Sequence, residues 1–208
     1  MADFTRVRVV LVDTGIDLEH PGFRGRRVVV GPSFAPEVGA DAADARVHGT
    51  WVGVTILSLA SEVELVSVAV RNGSSSGDVA RLIDGLRAAL ALAPDLIHVS
   101  VAAVSHERRD EIADVVGTAI AKGIRIVAPE TEAGAPSYPG SLAGVDAVVA
   151  DGQVPRELPA RRPHGARQAW FASPFAPISG GEPPPAELTA ECLATANVTG
   201  FLARLRRR

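Results

Sequence analysis

The chain has 208 residues and a formal charge of −3, with 47% apolar and only 4% aromatic side chains, a balance that offers no electrostatic basis for binding nucleic acid or an anionic membrane. No uninterrupted apolar run approaches the roughly 20 residues needed to cross a bilayer, and the start, which passes through Asp3 into a strand, lacks the pattern of a secretory signal. A single cysteine excludes an internal disulfide, so a soluble, cytoplasmic protein with one free thiol is expected.

That length suits one core and one domain, 1–208. Val7 to Val12 is apolar throughout and ends at Asp13-Thr14-Gly15, the pattern of a central strand buried on both faces and followed by a turn. Further short apolar runs at Arg27 to Val30, Val63 to Val70, Leu96 to Val101, Arg125 to Ala128 and Ala147 to Ala150 predict more strands. Between them, Val79, Leu82, Ile83, Leu86 and Leu90 share one face of a helix that Asp78 or Ser76 caps, and Ile112, Val115, Val116, Ala119 and Ile120 line a second helix stopped at Gly123. From Asp151 to Pro185 the periodicity fades, which predicts an irregular segment with one short strand near Ala169 to Ala172. A last helix, Glu191 to Arg206, turns Ala194, Val198, Phe201, Leu202 and Leu205 inward and ends in a solvated basic tail, Arg204 and Arg206 to Arg208. Strands alternating with helices imply an α/β fold in three layers, a mostly parallel central sheet between helices, with its site beyond the strands' carboxyl ends.

Three segments supply an acid, a base and a nucleophile. Asp13-Thr14-Gly15-Ile16-Asp17 puts an acid at the end of the first strand, and His48-Gly49-Thr50 puts an imidazole in the first turn of an apolar helix. Cys192-Leu193-Ala194-Thr195 puts the thiol at the start of the last helix. Taken singly, each has an ordinary structural explanation as a turn, an exposed histidine or a buried thiol. Together, and in this order, they resemble the three motifs of the subtilisin family, with Cys192 falling on the nucleophilic serine. Gly31-Pro32-Ser33-Phe34, Asp95 to Ser100 and Ser137-Tyr138-Pro139-Gly140 are similar to family landmarks in the same register.

The resemblance implies a subtilisin-like fold and a minimal catalytic domain without an evident propeptide. It also implies a triad of Asp13, His48 and Cys192, an extended peptide substrate, and substrate-binding edges at Ser76, Gly77, Ser100, Val101 and Ala102. His48 takes the thiol proton, Asp13 holds the imidazole, and sulfur attacks a carbonyl. The family's oxyanion asparagine, itself the source of the value of about 2.7 to 4 kcal/mol for such a donor, has no counterpart here, and Thr131 is the nearest register match. The loop Ser58 to Ser61 is too short for the family's calcium loop, the histidines show no ligand spacing, and no phosphate loop is present, so neither metal nor cofactor is expected. Ala196 stands where the family has proline; a smaller residue with its own N–H lets the first helical turn settle away from the larger sulfur. Engineered subtilisin ligases combine these two changes and direct a thioester toward amines, so the resemblance implies a peptidase, transpeptidase or ligase that matures a ribosomally made peptide. The missing asparagine and the Ala190-Glu191 flank favour a second reading, a catalytically inactive module that binds a peptide or a partner subunit.

Overall fold

The computed structural model describes residues 6–35, 42–71, 79–101, 103, 106, 108–130, 136–177, 184–185 and 188–206. Ser76 and Asp78, the expected helix caps, lie outside them. In chain order the elements are β1 (Arg8–Asp13), a 3-10 turn (Pro21–Phe23), β2 (Arg27–Ser33), α1 (Ala42–Leu59), β3 (Glu64–Ala69), α2 (Val79–Ala91) and β4 (Leu96–Val99). There follow α3 (Arg109–Ala121), β5 (Arg125–Pro129), β6 (Asp146–Ala150), β7 (Ala160–His164), β8 (Arg167–Ala172) and α4 (Ala190–Leu205). The eight strands form one sheet in the order β2-β3-β1-β4-β5-β6-β8-β7, parallel except where β7 runs against β8.

The continuous apolar strands go to the middle because both of their faces are covered. Side chains alternate along a strand. Val10, Val12, Ile97, Val99 and Ile126 therefore pack with Leu82, Ile83 and Leu86 of α2 and Ile112, Val115 and Val116 of α3. Val9, Leu11, Leu65, Leu96 and Val127 pack on the opposite face with Val52, Ile56 and Leu57 of α1 and Ala194, Ala196, Val198 and Leu202 of α4. Helices on both faces of a mostly parallel sheet give the three-layer α/β fold. Unlike α2, α4 is buried almost all round, since it lies against the sheet and is covered by α1.

Three sequence expectations are corrected. The segment after Asp151 holds two strands: β7, Ala160–His164, forms an antiparallel hairpin with β8. Its Arg-Arg-Pro content hides it, because an edge strand can keep its charges in solvent while Arg161 and Arg162 lie over the rings of Trp170 and Phe171, 6.0 and 5.2 Å from the centroids. Second, α1 begins at Ala42, so His48 sits in its second turn; the alanine-rich start favours helix well before the histidine. Third, Leu205 is 63% exposed, because α4 is in its last turn there and ends at Leu205.

At Gly200 the α1–α4 contact is at its tightest: a Cβ there would lie 2.8 Å from the Ile56 carbonyl oxygen and 2.9 Å from Leu59 Cβ. Both obstacles are fixed to the α1 backbone and cannot rotate aside. Overpacking costs about 1–3 kcal/mol, whereas the gain in helix propensity from glycine to alanine is about 1 kcal/mol. Gly200→Ala is therefore expected to be net destabilising, by about 1 kcal/mol, measured as a lower urea midpoint at unchanged m-value.

Candidate active site

The sheet reverses its direction of growth between β1 and β4: β3 and β2 extend it on one side, β5 and β6 on the other. Open α/β sheets bind ligands beyond the carboxyl ends of the strands at such a point. β1 ends there in Asp13, and Ser100 follows β4, its amide donating to the Val12 carbonyl at 3.4 Å.

Asp13 is fully buried, so its carboxylate needs partners. The Thr14 amide donates to Oδ1 at 2.5 Å, and His48 Nδ1 donates at 2.8 Å to Oδ1 and 3.0 Å to Oδ2. Two cross-bonds between the turn after β1 and α1 fix this approach. The Gly49 amide donates to Thr14 Oγ1 at 3.0 Å, and the Asp17 amide to Thr50 Oγ1 at 2.8 Å. Gly15 takes φ +89°, and a Cβ on Gly49 would fall 2.2 Å from the Gly15 carbonyl oxygen. The two glycines let the chains approach closely, and the two threonines lock them in register.

Cys192 acts on His48 in the same sense as Asp13, favouring the charged imidazole. Cys192 lies in the first turn of α4 and is 7% exposed. Thr189, the N-cap, accepts the Cys192 amide at 3.4 Å, and its hydroxyl donates to the sulfur at 3.2 Å. Ala196 is buried one turn further on, within an uninterrupted helix.

Burial would raise the Asp13 pKa, but the His48 charge and hydrogen bond, the Arg71 guanidinium and the Ser100 hydroxyl overcome it and hold the carboxyl well below the usual carboxylate range. For His48 the burial effect is downward; the charge and hydrogen bond of Asp13 outweigh it, with Cys192 acting in the same sense, and push the pKa up to about 10. The imidazole therefore holds its proton at neutral pH.

The sequence reading did not assign roles to Arg71, His98, Thr189 or Thr199, all of which shape the site. Arg71 Nε is buried without a hydrogen-bond partner. His98, fully buried on β4, connects Ser100 Oγ at 2.7 Å with Thr199 Oγ1 at 2.8 Å. Only Thr189 carried a sequence signal, a cap residue three positions before the thiol. Of the expected substrate edges, Ser100 is buried beside Asp13, and Val101 turns its side chain into the core. Ser76, Gly77, Ala102 and Thr131 lie outside the described residues.

A three-layer α/β fold with a buried acid, imidazole and thiol in sequence at the sheet's switch point defines the structural class. No family model matches the chain. Subtilisin amylosacchariticus of Bacillus subtilis subsp. amylosacchariticus is 29% identical over 162 residues, which cover 72% of this chain and 41% of that protein. The chain thus spans well under half the length of this curated relative. Among solved structures, the protease domain of PatA matches with a TM-score of 0.71 at 18% identity, over 100% of this chain and 82% of that one. The PatG macrocyclase in complex with peptide matches with a TM-score of 0.63 at 14% identity, over 97% and 76% of the two chains. The chain has the subtilisin-like three-layer α/β fold and is similar in sequence to subtilisins.

His48 and His98 make stability depend on pH in opposite directions. Folded His48 binds its proton more tightly than an unfolded histidine, so its contribution is complete below about pH 6.5 and is lost as pH rises through about 10. Burial first of all, with the His48 charge adding and Asp13 opposing, pushes His98 down to about 4, so its contribution is complete above about pH 6.5 and is lost as pH falls through about 4. Asp13, with its lowered pKa, adds to the acid-side loss below its ordinary 3.8. Urea midpoints measured from pH 4 to pH 10 are expected to peak near pH 6.5; a steady rise or fall across that range would contradict these assignments.

Proposed function

We propose that this protein is a peptidase or peptide acyltransferase that works through a thioester on Cys192. The observation that carries the reading is the His48 imidazole, hydrogen-bonded to a buried carboxylate and favoured in its charged form by a thiol at a helix N-terminus. In this reading the thiol proton already rests on His48 as the imidazolium, and sulfur attacks the carbonyl carbon of an extended peptide or ester in the first step. The tetrahedral intermediate collapses as the C–N or C–O bond breaks, and the imidazolium returns its proton to the leaving amine or alcohol. Asp13 keeps Nδ1 protonated throughout, so that the other ring nitrogen remains the one that exchanges protons. In the second step an amine or water gives a proton to His48 as it attacks the thioester carbon, and the C–S bond breaks to release sulfur.

Two features support an amine as the second acceptor. A thioester is more reactive toward amines relative to water than an oxygen ester is, and Ala196 leaves the helix turn behind the sulfur without proline's constraint. The likeness to a macrocyclase in complex with peptide and to the PatA protease domain supports a peptide substrate, and we assign the protein to the maturation of a ribosomally made peptide. The low exposure of Cys192 favours the second reading, an inactive module that binds a peptide or a partner subunit; reactivity decides between them.

Intact-mass measurement of Cys192 alkylation by iodoacetamide at pH 6 is expected to run at least about tenfold faster than for an ordinary thiol with a pKa of about 8.5. His48→Ala should remove that advantage. Labelling at the ordinary rate, unaffected by His48→Ala, would leave the binding module. With a peptide ester and a competing amine peptide, aminolysis is expected to exceed hydrolysis, and hydrolysis alone would sink the transferase assignment.

A further inference from the structure

Among the described residues, two buried side-chain atoms lack a hydrogen-bond partner, Glu130 Oε2 and Arg71 Nε. Both residues follow strands at the carboxyl-end side of the sheet, Glu130 after β5 and Arg71 after β3. A buried polar atom left unpaired costs free energy, so each needs a physical account. For Glu130 the fold supplies one. Its other oxygen pairs with Arg167 Nη2 at 2.5 Å, and the same guanidinium donates to the Gly140 carbonyl at 2.9 Å, so the charge is matched and tied to a loop.

Arg71 has no such counter-ion among the described residues. Asp13 feels its charge, but the carboxylate oxygens are taken by the Thr14 amide and His48 Nδ1. The backbone places Arg71 closely. β1 and β3 pair as far as Asp13 and Ala69, and the Val70 amide then donates to the Asp13 carbonyl at 2.8 Å, so Arg71 emerges just past the acid. Val66, Val68 and Val70 pack on the α2–α3 face, and alternation turns Arg71 to the face of α1, the helix that carries His48. The residue as a whole stays partly exposed there. A guanidinium offers Nε–H and a neighbouring Nη–H as a parallel fork that matches the two oxygens of a carboxylate.

We propose that Arg71 is a specificity-determining residue of this site: its fork takes a carboxylate of the peptide, from an acidic side chain or from a free C-terminus. A neutral group in that place leaves Nε–H unpaired, and a basic group meets like charge, so the crevice selects for acid and against base. The proposal rests on the reading of the substrate as a peptide and does not require sulfur to react.

The test offers the immobilised full chain two pools of random hexapeptides, one capped at both ends and one with a free C-terminal carboxyl group. Retained peptides are sequenced by mass spectrometry. In the capped pool Asp and Glu are expected at one position about tenfold above Asn and Gln, and Arg71→Glu should shift the preference at that position to Lys and Arg. Enrichment confined to the uncapped pool assigns the C-terminus as the source. No preference for a carboxylate in either pool, or a preference that survives Arg71→Gln, overturns the proposal. Nitrogen-15 NMR of the wild-type protein gives a second reading: the Arg71 Nε–H resonance should move on titration with a retained peptide and stay in place with its amide counterpart. A resonance that responds to neither overturns the assignment without any variant having to fold. Retention of acidic peptides by a protein that turns over no ester would remove the acyl-transfer reading alone; ester turnover indifferent to carboxylates would remove the role of Arg71 alone.

Discussion

The hydrogen bond from His48 Nδ1 to Asp13, 2.8 Å long and formed where the carboxylate has no exposure, constrains everything around it. A carboxylate removed from water carries a desolvation cost of several kcal/mol unless it is paired and hydrogen-bonded. Here the Thr14 amide, the Ser100 hydroxyl, the imidazolium and the Arg71 charge share that task. The arrangement explains residues that otherwise look incidental. Gly49 has no side chain because the Gly15 carbonyl occupies that space, and Thr14 and Thr50 clamp the two segments across the gap.

The larger architecture serves the same end. A central β1 buried on both faces, with sheet growth reversing beside it, delivers Asp13 and Ser100 to one crevice. α1, running from Ala42, carries His48 down onto the carboxylate, and α4, enclosed by α1 and the sheet, brings Cys192 up from below. Because α4 is packed on nearly every side, the sulfur is held by the hydrophobic core as well as by its cap, Thr189. Close packing of this kind places a nucleophile to within the few tenths of an ångström that attack geometry requires.

Much of this was legible in the sequence, for identifiable reasons. β1, β3 and β5 are short apolar runs, and the stripes of α2 and α3 follow helical spacing, so burial wrote both into residue order. Asp13, His48 and Cys192 each sit in a short motif whose neighbours are needed for backbone contacts. The supporting polar chain left no such trace. His98 lies in a strand that reads as core, Thr199 lies in a helix that reads as apolar, and only the fold brings them within 2.8 Å across 101 residues. β7 was hidden for the opposite reason: an edge strand carrying Arg161, Arg162 and Pro163 lacks the apolar alternation of a half-buried one.

The account turns on whether sulfur becomes covalently bound to substrate. The most direct measurement is acid-quench mass spectrometry of the protein mixed with an activated peptide ester, followed by proteolytic mapping and treatment with hydroxylamine. We expect one acyl group per chain, located on Cys192, released by hydroxylamine and absent from His48→Ala. A folded protein that accumulates no adduct while turning the ester over, or an adduct mapped to any other residue, would contradict it.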